Sequence, residues 1–212
     1  MAEFDRSRGL LTGRQSAHLK ITPKDSARQR DTDTPLPAPD LSVVSWQVRE
    51  ELNQPYRVKA VVTSPVALKR RQIVGQYARF SIEPEDGRGS REFRGFVSSV
   101  EALSQSRDEC TYEVRIEQHL ATLDGALNCV TYQHLSSPDI LREIIKRHDD
   151  LKFFMQVELN LRRTHPRHDF RFQYNLSDLA FCQLQMEQAG LYWYTKQGKL
   201  GDVLVIGDDI DG

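Results

Sequence analysis

Two imidazoles and a carboxylate stand close together at His165, His168 and Asp169, residue types that bind a divalent metal when their spacing lets them converge. Pro166 breaks any helical i,i+4 presentation and no second ligand pair lies nearby, so the stretch reads as a turn ahead of a strand. His148, with Asp149 and Asp150 behind it, reads as a helix end, where a histidine suits the negative pole of the dipole. For nucleophilic catalysis the candidate is Cys182, but it sits beside Phe181 in a helical pattern with no glycine-flanked elbow. It reads as a small buried hydrophobe. Asp178 and Glu187 are the carboxylates a glycosidase would need, yet on one helix such residues ordinarily serve as cap and surface charge. Gly87 and Gly89 lack the strand-loop-helix setting of a phosphate cradle. Asp208, Asp209 and Asp211 lack the alternate spacing of a calcium loop and read as a solvated stub. The residues therefore predict no catalytic, metal or cofactor site.

The whole chain limits the partners. Its 212 residues carry 29 basic and 30 acidic side chains, a formal net charge of -1 that gives no global field for nucleic acid or an anionic membrane. The dense basic step Lys69, Arg70 and Arg71 has no interleaved aromatics and reads as a solvated loop or strand end. No apolar run reaches the roughly 18 residues of a membrane span, and no apolar core follows Met1 as in a Sec signal peptide. Cys110, Cys129 and Cys182 are odd in number and widely spaced, which fits synthesis in a reducing compartment and no disulfide framework.

Elements follow from periodicity. Ala17 to Ile21 suits a short strand, and Thr22 to Asp40, with Pro23, Pro35, Pro37 and Pro39, suits a long loop. Val44, Trp46 and Val48 alternate with polar residues, as do Tyr56, Val58, Ala60 and Val62. Two strands, each with one buried face, are expected to form an antiparallel hairpin across Glu50 to Pro55. Ala78, Phe80 and Ile82, the Asp86-Gly87 turn, a return strand over Glu92 to Val100, and Tyr112, Val114 and Ile116 extend the pattern to an antiparallel barrel or sandwich. Ser137-Pro138-Asp139 supplies a cap, a first-turn proline and an acid for a helix over Pro138 to His148. Ser177 and Gly190 bracket a second helix, with Leu176 and Phe181 placed as a hydrophobic staple. Phe170, Phe172 and Tyr174 alternate as a strand before it, and Leu191 to Thr195 and Asp202 to Ile206 are strands after it. The expected organisation is an N-terminal strand and flexible proline-rich loop over 1–40, a barrel over 41–125, and an α+β domain with two helices over 126–212. The ending after a strand suggests a cut through a longer protein.

The segment from Phe170 to Tyr194 resembles a signature of the VgrG family, the spike proteins of type VI secretion. Gln173, Tyr174, Ser177, Asp178, Phe181, Glu187, Gly190, Leu191, Tyr192 and Trp193 fill a Q-Y-x-x-S-D-x-x-F core and an E-x-x-G-[ILV]-Y-[YW] helix end. Leu52-Asn53-Gln54-Pro55-Tyr56, the run Arg91 to Val97, and Ser137 to Leu141 resemble three further family pieces in the same order, covering residues 41 to 207. Arg94 departs from a frequent histidine, and His165 from a common aromatic.

The resemblance implies a β-rich α+β fold, with a phage hub-like antiparallel barrel and a mixed domain cut before a second barrel. It implies a structural, non-enzymatic part of a contractile injection machine: a homotrimer when complete, capping the Hcp tube ring, contacting baseplate components and carrying effectors. No cofactor, nucleic acid or stable membrane insertion is implied, and the protein would wait in the cytoplasm before being injected without a Sec signal. A baseplate hub of a contractile-tailed phage or prophage shares the fold. A cell-wall hydrolase using Glu187 or Asp178 is the alternative from another class.

Overall fold

The computed structural model describes residues 16–24, 41–83, 89–198 and 201–209. The chain divides into two compact units, one of 1–47, 58–93 and 97–116, the other of 48–57, 94–96 and 117–212. The Asp86-Gly87 turn, the loop over 25–40 and Asp211 lie outside the described residues.

The first unit is built on a closed six-stranded barrel. Its strands are β1 (Ala17–Thr22), β2 (Ser42–Arg49), β3 (Arg57–Ser64), β4 (Tyr77–Ile82), β5 (Arg91–Gln105) and β6 (Cys110–Gln118), in the spatial order β1-β2-β3-β6-β5-β4. Alternation does the work: Val58, Ala60, Val62, Ala78, Phe80, Val114 and Ile116 point inward and are buried, filling the lumen as side chains do in small barrels. The early strand at Ala17 belongs to this ring, pairing antiparallel with β4 from Ala17↔Ile82 to Thr22↔Tyr77.

β2 departs from its pattern. Val44 and Trp46 are 64% and 40% exposed, so the alternation that predicts a buried face does not bury one there, and among the described residues β2 meets β1 at His18↔Ser42. Between β3 and β4 a short helix, α1 (Arg70–Ile73), turns Ile73 inward to zero exposure. Lys69, Arg70 and Arg71 are exposed, but Arg70 and Arg71 open this helix where a loop or strand end is expected.

The second unit mixes small sheets and helices. A 3-10 helix (His119–Asp124) leads to β7 (Leu127–Tyr132), β8 (Leu135–Ser136), α2 (Ser137–Arg147), α3 (Asp149–Phe154) and β9 (Met155–Asn160). Then come β10 (Arg167–His168), β11 (Arg171–Ser177), α4 (Asp178–Ala189), β12 (Tyr192–Gln197) and β13 (Asp202–Gly207). β7 pairs with β11, β8 with β10, and β13 lies between an antiparallel β12 and a parallel β9. Ile140, Leu141, Ile144, Phe181, Met186, Trp193, Leu204 and Ile206 form one core with the 3-10 helix.

The helix ends refine the sequence reading. α2 is capped by Ser136, one residue earlier than predicted: its side chain accepts from the Asp139 N–H at 3.4 Å and donates to Asp139 Oδ2 at 2.7 Å. Both serines can cap, and this one satisfies the donor while holding the first-turn acid. α4 behaves as read, with Ser177 accepting from the Ala180 N–H and Gly190 in the left-handed conformation at φ 62°. β11 shows its alternation inverted. Phe170, Phe172 and Tyr174 are exposed and adjoin one another as tilted rings at 6.2 and 5.7 Å, while Gln173 points inward.

Candidate functional site: the buried polar clusters of the second unit

The residues that carry the sequence motifs meet in three polar clusters, each closed by partners from its own unit. In the first, Pro55 leads into Tyr56, which is 4% exposed. The Tyr56 hydroxyl accepts from the Arg94 N–H at 2.8 Å and is within donating distance of both the Arg94 carbonyl and Asp202 Oδ2, each at 2.5 Å. Gln118, fully buried, donates to Thr195 Oγ1 at 2.8 Å and to the same Asp202 oxygen at 3.3 Å. Next to Arg94, a Cβ on Gly95 would stand 2.0 Å from the Glu117 carbonyl oxygen. Only glycine lets the two backbones approach so closely.

Asn53 joins the same motif to the strand after α4. At φ 61° it presents its N–H to the Trp193 carbonyl at 3.1 Å and its Oδ1 to the Trp193 N–H at 2.7 Å. Its own carbonyl accepts from Gln183 Nε2 at 2.9 Å. The loop thus copies a strand pairing on the edge of β12.

Asp178 anchors the second cluster at the first turn of α4. It accepts from Asn128 at 2.9 Å, Gln173 at 2.8 Å, Arg147 at 3.3 Å and His148 Nε2 at 2.7 Å. Burial pushes its carboxyl pKa up, but the bonds from His148, Gln173 and Asn128 outweigh that and hold it below the usual range. Tyr132, bonded to Arg147 at 2.8 Å, is pushed up to about 12 by burial. The nearby Cys182 thiol is likewise pushed up to about 12, first by burial and then by Asp178. A thiol that stays protonated is inert as a nucleophile.

Asp208 centres the third cluster and overturns the expectation of a solvated stub there. Its side chain is fully buried, accepting the Arg162 N–H at 2.8 Å, the Arg163 N–H at 2.9 Å and His165 Nε2 at 2.9 Å. The backbone donors, led by Arg162, lower its pKa to about 2. Sequence reasoning missed this because Arg162 lies 46 residues away from Asp208.

The other candidates do not converge. Glu187 is exposed on α4 nine residues beyond Asp178, half a turn out of phase and about 14 Å further along the axis. That separation exceeds either glycosidase spacing. His165 is committed to Asp208, His168 approaches Ser137 Oγ at 3.3 Å, and Asp169 is exposed. Burial, then the nearby Arg171 charge, lowers the His168 pKa. Among the described residues no three metal-binding side chains cluster, and the three cysteines are free thiols. Gly89, at φ 95°, precedes a strand and not a helix.

A shallow cavity of about 290 Å³ is lined by Glu50, Glu51, Leu52, Gln54, Tyr56, Tyr194 and Thr195. Glu51 is paired with Arg49 at 2.7 Å and the Tyr56 hydroxyl is occupied, so no oriented acid-base pair faces that space.

A closed barrel in one unit and, in the other, motif residues that bond one another describe a scaffold, with those residues spent on holding shape. Comparison with known proteins agrees: the chain belongs to the phage tail baseplate hub (GPD) family, whose model matches residues 49–212. Relatives include two type VI secretion system spike proteins of Pseudomonas aeruginosa. VgrG1b is 28% identical over 83% of this chain and 23% of its own length, and VgrG4b is 26% identical over 80% and 20%. The chain therefore spans about a quarter or less of these two relatives. Among solved structures, the E. coli c3393 protein, a type VI secretion component described as similar to the T4 tail proteins gp27 and gp5, superposes with a TM-score of 0.76. It is 24% identical over 92% of this chain and 50% of that one. A tail protein from Neisseria meningitidis shares the fold at a TM-score of 0.56 and 13% identity, over 79% of this chain and 48% of that one. No helix among the described residues is long and apolar enough to cross a membrane.

Proposed function

We propose that this chain is the hub portion of a type VI secretion spike. In the complete protein it forms a homotrimer that caps a ring of the Hcp tube, contacts the baseplate and carries effectors into a target cell when the sheath contracts. Its task is mechanical, and it turns over no substrate. The observation that carries this reading is the family match over residues 49–212, joined to relatives that are themselves spike proteins. The interlocking hydrogen bonds at Tyr56, Asp178 and Asp208 support it, since a part that transmits force needs rigid polar junctions more than a pocket with poised acids. The protein is made in the cytoplasm and leaves it by injection. The division read from the sequence, a barrel over 41–125 and an α+β domain over 126–212, belongs to the same proposal.

The same fold suits a baseplate hub of a contractile-tailed phage or prophage, which the family description favours. One experiment separates the readings. The complete gene product is mixed with purified Hcp rings and its mass measured by light scattering, alone and in the mixture. A trimer that adds the mass of one ring supports the spike. A trimer that ignores Hcp supports the phage hub, and a monomer in both samples removes both. Incubation of the same protein with purified peptidoglycan, giving no products above buffer, disposes of the hydrolase.

A further inference from the structure

β5 is 15 residues long, but the strand on one side of it, β4, has six. The β4 side ends at Val97, whose N–H donates to the Gln76 carbonyl at 2.9 Å and whose carbonyl accepts the Gly75 N–H at 2.8 Å. In an antiparallel sheet the backbone groups of alternate residues face the same side. Those of Ser99, Glu101, Leu103 and Gln105 therefore face away from β6, and among the described residues no strand lies beside them. From Glu101 to Glu109 every residue is exposed, Leu103 at 50%. The projecting turn is nonetheless ordered. The Ser106 N–H donates to the Glu109 carbonyl at 2.8 Å, and the Ser106 hydroxyl accepts the Glu109 N–H at 3.0 Å.

Proteins ordinarily blunt such an edge with lysine, proline or a covering loop. The eight residues Ser98 to Gln105 hold no lysine, arginine or proline, and the ribbon over 98–109 carries Glu101, Asp108 and Glu109 against Arg107 alone. We infer that this edge is a strand-addition site for an extended, basic segment of another polypeptide. Main-chain bonds to Ser99, Glu101, Leu103 and Gln105 would supply the pairing, and the carboxylates would select the charge. A second copy suits the edge poorly, because two such ribbons would set like charges together. The inference is independent of the spike assignment and needs no Hcp.

The test uses the 212-residue chain and a capped, fluorescent peptide of roughly ten residues alternating valine with lysine and threonine, followed by anisotropy. The peptide is expected to bind. Methylating the backbone amides of one peptide edge leaves charge and side chains intact, and is expected to weaken binding about ten-fold or more. Leu103→Pro removes an N–H that faces this edge, and is expected to do the same while thermal unfolding stays close to the parent. Absence of binding, equal binding of the methylated peptide, or equal binding by a folded Leu103→Pro chain would each overturn the inference. So would dimerisation of the peptide-free chain that Leu103→Pro abolishes, since a second copy would then occupy the edge.

Discussion

The Tyr56 hydroxyl rests 2.5 Å from Asp202 Oδ2, joining residues 146 positions apart in the chain. It also takes the Arg94 N–H at 2.8 Å, so one phenol oxygen serves a buried carboxylate and a strand backbone together. Tyr56→Phe keeps the ring and deletes that oxygen. It takes the hydroxyl acceptor from the Arg94 N–H and one donor from Asp202. Urea unfolding should show a loss of about 1–3 kcal/mol, the cost of a buried polar group left unsatisfied. A change below about half a kcal/mol would mean the hydroxyl is dispensable.

Gly95, the glycine of the Arg91 to Val97 motif, should not tolerate a side chain. An added Cβ would lie 2.0 Å from the Glu117 carbonyl oxygen, and that obstacle is backbone. Gly95→Ala is expected to cost about 3 kcal/mol or more, seen as a lowered thermal midpoint or loss of soluble protein. Gly125 makes the control. Its Cβ would meet the Thr122 carbonyl at 3.3 Å, in a right-handed helical conformation. Gly125→Ala should stay within about 1 kcal/mol of the parent, and equal damage from both would refute the close-approach explanation.

The caps of α4 offer a pair of local tests. Ser177→Ala removes the oxygen that accepts the Ala180 N–H at 3.1 Å and donates to Asp124 at 2.7 Å, for an expected loss of about 1–2 kcal/mol. Gly190→Ala forces an L-residue into φ 62° beside Arg163, for about 1–2 kcal/mol more. The two sites bracket the helix without a shared partner, so thermal unfolding of the double variant should show near-additive losses.

Local chemistry explains what the sequence made legible. The barrel strands followed from alternation at Val58, Ala60 and Val62, and both ends of α4 from Ser177 and Gly190, since each signal acts within a few residues. The VgrG-like motifs marked the positions that later proved to interlock, but not their reason. Asn53 was readable as a turn residue, while its bonds to Trp193 come from a partner 140 residues on. β9 carries little alternating burial, with Gln156, Val157 and Glu158 all exposed. Its strand identity comes from the parallel pairing with β13, which periodicity does not report. On β11 alternation shows which residues share a face but not which face is buried: Gln173 lies inward, bonded to Asp178, and Phe172 and Tyr174 lie outside.

Asp208 links the fold to acid. With the carboxyl held near 2 in the folded state, against 3.8 for an ordinary aspartate, the folded protein binds its proton less readily than the unfolded chain does. A depressed folded value makes the contribution fully present above about pH 4 and lost as pH falls through 2. Asp178, lowered as well, acts in the same direction. Urea unfolding at pH 7, 4, 3 and 2.5 should therefore show stability nearly level down to about pH 4 and falling below it. Asp208→Asn keeps the shape but cannot carry the charge that draws in the Arg162 and Arg163 amides and His165. The variant should be less stable at pH 7 and lose less between pH 4 and 2.5. An unchanged acid slope in that variant would assign the acid sensitivity elsewhere, with Asp178→Asn the next substitution to measure.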